Sequence, residues 1–243
     1  MPRCVEGTER PLVDSRPRQL PLDLGHSPSL SRDDLVVSPA NAAAVALVDS
    51  WPSWPSSVMV LAGPPGSGKS HLAMIWRDLS GAEVLGAARL QAGIDPDLRS
   101  PVLVDDADML GHAAETGLFH LLNAVRQSGT QLLLTARRFP AAWGVRLPDL
   151  ASRLKAAATV EIGEPDDALL SGVMVKLFAD RQVEVEPATI QFLLRRIERS
   201  LSAAIDVVER LDRRALEEKT RITRQFAARV LAAADPTQGT LDL

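Results

Sequence analysis

The sequence predicts an α/β protein in which a core with a parallel sheet is followed by a small all-helical domain. In the first two thirds of the chain, short continuous apolar runs alternate with helical patterns. These runs lack the polar alternation of half-exposed strands, so they are typical of parallel strands that are covered on both faces. After Glu164-Pro165 only patterns with a 3.6-residue period remain, which indicates a separate helical domain.

The composition limits the class of protein. The chain has 243 residues, of which 46% are hydrophobic and 24% charged, as in an ordinary globular protein. Its net charge of −4 provides no overall basic field, so little or no sequence-specific DNA binding is expected. The single cysteine, Cys4, excludes an internal disulfide and suits a reducing compartment. No targeting segment or membrane-length apolar run is present, so we expect a cytoplasmic protein that does not bind membranes.

The predicted elements follow one another along the chain. Residues 1–33 are rich in Pro, Arg, Ser and Asp, and we expect them to form a flexible tail. The first helix should begin at Ser38-Pro39, with Ser38 as its N-cap. Strands are expected at Val58–Ala62, Val102–Val104 and Gln131–Thr135, and core helices at Lys69–Leu79 and Thr116–Gln127. The core is placed at 34–163, the helical domain at 164–234 with helices at 166–181, 187–196, 200–219 and 223–233, and a C-terminal tail at 235–243.

The stretch "GPPGSGKS" fits the phosphate-loop pattern G-x-x-x-x-G-K-[ST] and lies between a predicted strand and a predicted helix. In such a loop backbone amides converge on phosphate oxygens, Lys69 reaches the terminal phosphates and Ser70 holds Mg²⁺. The alternative is a glycine-rich turn with an incidental lysine, which the strand–loop–helix context disfavours. The residues expected to bind nucleotide are Gly63, Pro64, Pro65, Gly66, Ser67, Gly68, Lys69, Ser70 and His71.

Two more strand ends carry polar side chains. In "VLVDDAD", Val102 to Asp108, Asp105 is placed to hold Mg²⁺ with Ser70, and Asp106 to orient the attacking water as a base. The alternative is that these aspartates cap the next helix. Thr135 ends the third strand, where its hydroxyl would contact the terminal phosphate or its water. Threonine is also common in strands, so that interpretation stays open.

These parts together resemble the AAA+ ATPases, that is, a P-loop NTPase core followed by a helical lid. "LLLTARRFPAAWGVRLPDLASRLKAAATVEI", from Leu132 to Ile162, resembles the AAA+ domain of the bacterial initiator DnaA. It resembles still more closely the Hda family, DnaA-related regulators that inactivate the initiator. "VVSPANAAAVALV", from Val36 to Val48, is similar to the initiator segment that leads into the nucleotide site. The likeness covers about residues 19–232, nearly the whole chain.

The resemblance implies roles for two arginines. "LPDLASRL", Leu147 to Leu154, is similar to the arginine-finger segment of the family, with Arg153 at the finger position. "RRIERSLSAAIDVVERLDRRAL" is similar to the lid segment that carries the second sensor, which places the sensor at Arg199. A finger completes a neighbour's site in trans, whereas a sensor contacts the chain's own nucleotide. Without the resemblance, each would be read as a surface arginine paired with a carboxylate.

The N-terminal "QLPLDL" resembles the Q-L-x-L-x-L peptide that docks on the bacterial sliding clamp. In an extended segment its three leucines would share one face, so the residues proposed to bind the clamp are Gln19, Leu20, Pro21, Leu22, Asp23 and Leu24. An edge strand or a chance alternation is the alternative. The C-terminal Gln238–Leu243, "QGTLDL", echoes the same pattern without its second-position leucine. Because the chain ends at Leu243, without the DNA-binding domain that follows the lid in DnaA, Hda is favoured over the initiator.

The resemblance therefore implies a negative regulator of replication initiation. It would bind ADP or ATP with Mg²⁺, dock on the DNA polymerase III β sliding clamp and stimulate hydrolysis of DnaA-bound ATP; AAA+ edges also permit a homodimer. Where the initiator typically has Ser-Asp-Arg, this chain has Ala136, Arg137 and Arg138, so weak or absent hydrolysis by the chain itself is expected. The rival functions are an autonomous AAA+ ATPase such as a helicase loader, and a clamp-binding adaptor without effect on hydrolysis.

Overall fold

A computed structural model describes Arg32, residues 35–95 and residues 98–233, and it confirms the predicted α/β class with a helical lid. All the strand pairs are parallel, and the sheet has the order β2-β3-β4-β1-β5. The strands are β1 (Val58–Ala62), β2 (Glu83–Val84), β3 (Val102–Val104), β4 (Leu132–Ala136) and β5 (Ala158–Glu161). Every residue of β1, β3 and β4 is buried, as their continuous apolar runs predict.

Helices cover both faces of the sheet. The core helices are α1 (Ala42–Asp49), α2 (Lys69–Ser80), α3 (Ala87–Ala92), α4 (Glu115–Ser128) and α5 (Pro148–Lys155). Alternate strand residues point to opposite faces. Val60 and Leu134 pack with residues of α4 and α5 on one face, whereas Met59 and Leu133 pack with α1 and α2 on the other. The sheet is therefore a central layer between two apolar cores.

The strand register brings the predicted polar residues to one edge. Leu61 of β1 lies opposite Thr135 of β4, and Val104 of β3 lies opposite Leu134. Because the strands are parallel, their carboxyl ends meet at this edge, as in other open α/β sheets that bind ligands there. The phosphate loop after β1, the aspartates after β3 and the end of β4 are consequently neighbours.

The lid helices agree closely with the predicted ones: α6 (Asp167–Asp180), α7 (Pro187–Leu194), α8 (Leu201–Glu218) and α9 (Arg224–Ala232). Side chains cap three of them. Asp166 accepts from Leu169 N, Ser200 from Ala203 N, and Thr223 from the third backbone amide beyond it. The four helices enclose their own apolar core, which is built from residues 170–230. The division of the chain at residue 163 stays a prediction.

The structure corrects some local details. Helix α1 begins at Ala42 rather than Pro39, because Ser38 and Asn41 stabilise a preceding turn. Asn41 Oδ1 accepts from Ser38 N at 2.8 Å, and Ser38 Oγ accepts from Ala40 N at 3.1 Å. Strand β2, which is exposed, and strand β5, which is only partly buried, were not predicted, since neither forms a continuous apolar run.

Both proposed clamp peptides, 19–24 and 238–243, lie outside the described residues. Within the ranges that the structure describes, none of the helices combines the length and the apolar character needed to traverse a bilayer.

Candidate nucleotide-binding site

The phosphate loop between β1 and α2 requires glycine at three positions. Gly66 and Gly68 have φ angles of +71° and +96°, in the left-handed region that favours glycine. At Gly63 a Cβ would lie 2.4 Å from the carbonyl oxygen of Ile162, so the loop passes directly over the end of β5. The loop ends at Gly68, the N-cap of α2, and the positive end of that 12-residue helix faces the space that the loop encloses.

Lys69 is held under the loop. Its side chain is buried, with 6% of the residue exposed, and its Nζ donates to the carbonyl oxygen of Pro64 at 2.8 Å. Burial lowers the pKa of Lys69, the nearby carboxylates of Asp106 and Asp105 raise it again, and the net shift is downward. A bound phosphate would add negative charge beside this ammonium and favour its charged form.

Asp105 is hydrogen-bonded to two other predicted site residues. Its Oδ1 accepts hydrogen bonds from Ser70 Oγ, at 3.1 Å, and from Thr135 Oγ1. Two oxygen ligands at adjacent corners of an octahedral Mg²⁺ site lie roughly 3 Å apart, given metal–oxygen distances of about 2.1 Å. The separation of the Ser70 hydroxyl and the Asp105 carboxylate therefore fits the ion that the motif implies.

Thr135 has a role that the sequence did not reveal. The residue is fully buried, and its Oγ1 also accepts from the backbone N–H of Asp106 at 2.8 Å. Its hydroxyl thus connects the end of β4 to the turn after β3 and holds the two aspartates in place. The predicted contact with the terminal phosphate stays a prediction.

Asp106 lies in a turn that faces the guanidinium of Arg137. Its backbone is left-handed, with φ 49° and ψ 46°, and its Oδ1 lies 3.9 Å from Arg137 Nε. The backbone N–H of Arg137 in turn donates to Asp108 Oδ1 at 3.2 Å. The arginine that replaces the acidic residue of the initiator pattern therefore faces the predicted base.

A cavity of about 300 Å³ lies between the phosphate loop and the lid. Its lining combines the loop and His71 with side chains of the lid, among them the paired Lys176 and Asp180. The apolar side chains that line it include Leu35, Val36, Leu169, Val173, Leu177 and Ile205. A pocket that combines a phosphate cradle with a largely apolar lining suits a nucleotide. The loop is marked by a sequence motif, whereas the lid side chains that line the pocket are not.

The lid contacts the phosphate loop directly. Leu201 N, at the start of α8, donates to the carbonyl oxygen of Gly66 at 2.8 Å. A Cβ on Gly66 would lie 2.5 Å from the Cβ of Ser200. Arg199 precedes this contact, but its half-exposed side chain pairs with Asp167 at 2.9 Å and does not line the cavity. An exposed pair of this kind is worth little, so a phosphate would compete well for the guanidinium.

Arg153 lies apart from the cavity, in the last turn of α5. The neighbouring Leu150 and Leu154 are fully buried and fix the rotation of the helix. The Arg153 guanidinium lies over the ring of Phe119, 5.1 Å from the ring centroid. The structure therefore brings together the loop, Asp105, Asp106 and Thr135, and leaves Arg153 on a different part of the core.

The parallel sheet, the phosphate loop after β1 and the helical lid define an AAA+ fold. Residues 173–231 match the family model described as the lid domain of Hda. The chain is also 28% identical to an uncharacterized Haemophilus influenzae protein over 185 residues. This alignment covers 70% of this chain and 79% of that protein. Residues 173–231 are thus similar to the Hda lid domain, and the chain as a whole has the AAA+ fold.

Solved structures agree on the fold. Domain III of the Thermotoga maritima replication initiation protein DnaA superposes with a TM-score of 0.69 at 17% identity, covering 85% of this chain and 97% of that one. AMPPCP-bound DnaA from Aquifex aeolicus gives 0.64 at 19% identity, with 79% and 68% covered. A Thermotoga maritima RuvB gives 0.66 at 19% identity, with 84% and 71% covered. At these identities the likeness establishes the fold.

Proposed function

We propose that this protein is a DnaA-related negative regulator of replication initiation, which binds nucleotide and stimulates hydrolysis of DnaA-bound ATP. The observation that carries the proposal is the similarity of residues 173–231 to the Hda lid domain, in a lid whose helix α8 contacts a complete phosphate loop. The fold shared with DnaA supports the proposal, since proteins of one fold can assemble through equivalent AAA+ edges.

The chain's own site would hold ADP or ATP with Mg²⁺. The loop amides and Lys69 would bind the phosphates, Ser70 and Asp105 would hold the ion, and Arg199 would leave Asp167 to reach the phosphates. Lys69→Ala is expected to weaken ADP and ATP binding at least about tenfold, because one charge-assisted contact is lost. Lys155→Ala, an exposed lysine on α5, is the matched control. Equal affinity of the two variants would contradict this assignment.

Hydrolysis by the chain itself should be weak. Arg137 Nε lies 3.9 Å from Oδ1 of the predicted base Asp106, and this cation would compete with a water for the carboxylate. Replacing Arg137 by Asp restores the acidic residue of the initiator pattern and should raise intrinsic turnover. The second candidate function is an autonomous ATPase, which the complete phosphate loop and the acidic turn favour. It becomes the better interpretation if the wild-type protein alone hydrolyses ATP rapidly and single-stranded DNA accelerates the reaction.

Arg153 would act in trans on the ATP of DnaA. Its charge lies away from the chain's own cavity, and a finger that neutralises charge developing in phosphoryl transfer is worth about 10³–10⁵ in rate. In a reconstituted assay of DnaA-bound ATP with DNA-loaded clamp, Arg153→Ala should abolish stimulation while nucleotide and clamp binding persist. Arg126→Ala, an exposed arginine on α4, should stimulate normally. Full stimulation by Arg153→Ala removes the finger assignment.

Clamp docking is proposed from the sequence of Gln19–Leu24. Such a short peptide should bind at about micromolar affinity, and tethering would raise the local concentration of the regulator at replicating DNA. Deleting residues 19–24 should remove clamp binding, whereas deleting 238–243 should retain it. The reverse result would assign the C-terminal peptide instead.

A homodimer through AAA+ edges would be detected by sedimentation of the nucleotide-bound protein. Clamp binding without any change in DnaA hydrolysis would leave the adaptor function.

A further inference from the structure

We infer that helix α4 is the platform that positions Arg153: Glu115 fixes the start of α5 and Phe119 holds the guanidinium. The inference rests on the proposed function, because it concerns how the finger is presented to a partner. It assigns positioning roles to two side chains that no motif singles out.

Glu115 determines where the finger helix begins. Its carboxylate accepts hydrogen bonds from the backbone N–H groups of Arg146, at 3.1 Å, and Leu147, at 2.9 Å. Leu147 is the N-cap of α5, so these amides stand immediately before the helix. The Glu115 side chain is only 13% exposed, and His112 Nδ1 lies 2.6 Å from its other oxygen. One carboxylate therefore ties the loop before α5 to the first turn of α4.

Phe119 determines where the guanidinium lies. It follows Glu115 by one helical turn, and residues four apart share a helix face. The Arg153 guanidinium, at the far end of α5, lies 5.1 Å from the Phe119 ring centroid, within the range of a cation–π contact. The same face of α4 thus contacts both ends of α5, while the buried Leu150 and Leu154 hold the helix body against the core.

This arrangement reduces the cost of ordering the finger. A free arginine side chain loses substantial rotamer entropy when it is fixed in a foreign active site. A guanidinium already held over an aromatic ring loses less, and its in-plane N–H groups stay available to phosphate oxygens. The contact should therefore raise the maximal stimulated rate of DnaA-bound ATP hydrolysis, with little effect on how tightly the two proteins bind.

The test measures stimulated hydrolysis at increasing concentrations of the full-length protein, with DnaA–ATP and DNA-loaded clamp. Phe119→Leu keeps the apolar volume and removes the ring; it should lower the maximal rate about two- to fivefold at an unchanged half-saturating concentration. Phe119→Trp should retain the maximal rate. Glu115→Ala should lower the maximal rate about tenfold. Glu115→Gln keeps a hydrogen-bond acceptor, so its maximal rate should lie between those of Glu115→Ala and the wild-type protein.

A folding defect would give another pattern. It lowers the active fraction, which raises the apparent half-saturating concentration and leaves the maximal rate unchanged; that pattern overturns the inference, as does a higher rate for Phe119→Leu. In an Arg153→Ala background, Phe119→Leu should cause no further loss. If Arg153→Ala abolishes stimulation and Phe119→Leu is normal, only the platform fails. If Arg153→Ala itself stimulates normally, the proposed finger function fails.

Discussion

Replacing Gly66 by alanine tests whether the lid is coupled to the phosphate loop. The change adds one methyl group at a residue with φ +71°, and that methyl would lie 2.5 Å from the Cβ of Ser200 at the start of the lid helix α8. The carbonyl oxygen of Gly66 also accepts the Leu201 N–H. The substitution therefore strains the loop and pushes the lid away from it at the same time.

The two effects can be sized separately. A left-handed backbone costs alanine about 1–2 kcal/mol, and forcing a methyl into an occupied site adds about 1–3 kcal/mol. Gly129 supplies the matched control, since its φ is also +71° but nothing lies within 4 Å of the added Cβ. Gly129→Ala should thus lower the free energy of unfolding by about 1–2 kcal/mol and Gly66→Ala by about 2–5 kcal/mol.

Chemical denaturation and titration with ADP measure the two consequences. If the lid swings away instead of being compressed, the clash appears as weaker ADP binding, because lid residues line the cavity. Adding Ser200→Gly to Gly66→Ala removes the atom that the methyl meets, and should recover about 1–3 kcal/mol across the two measurements. Ser200→Gly alone should cost only a few tenths of a kcal/mol, since glycine is tolerated at an N-cap.

One outcome of the double substitution is decisive for the coupling between the lid and the loop. If Ser200→Gly recovers none of the loss caused by Gly66→Ala, the methyl does not meet the lid. The loss would then belong to the loop alone, and the observed contact between α8 and the phosphate loop would not control nucleotide binding.

Two further predictions concern buried polar groups. Thr135→Val should lower the free energy of unfolding by about 1–3 kcal/mol, because the Asp106 N–H loses its acceptor. Thr189→Val is the control, because that buried hydroxyl has no hydrogen-bond partner among the described residues. Its removal should leave the free energy of unfolding unchanged or raise it. Equal losses of stability in the two variants would contradict the role of Thr135. Burial raises the pKa of Glu115, but hydrogen bonds from His112 and two backbone amides outweigh it, and the pKa falls below the ordinary 4.5. A lowered carboxyl pKa stabilises the fold fully above 4.5, and this contribution is lost as the pH falls through the lowered value. The melting temperature should therefore fall less steeply between about pH 6 and pH 3 in Glu115→Gln than in the wild-type protein. Parallel curves of melting temperature against pH would refute the linkage.

The chain's local patterns were sufficient to predict much of the molecule. The strands β1 and β3, the phosphate loop and the four lid helices are each encoded by contiguous residues, so periodicity and spacing identify them. The position of Asp105 directly after a buried strand was also evident from the sequence, whereas its role as an Mg²⁺ ligand stays a prediction. Strands β2 and β5 escaped prediction because a two-residue strand and a partly buried edge strand have no distinctive pattern of their own.

The sequence by itself determined the class of fold, the residues of the phosphate loop and the resemblance to Hda, because these depend on residues close together in the chain. Only the tertiary structure decided which residues that are distant in the chain contact one another. Thr135 joins the turn of Asp105, 30 residues away, and the start of α8 reaches Gly66 from the lid. Glu115 accepts from amides more than 30 residues later. Such contacts depend on how strands align and helices pack, which no local pattern records.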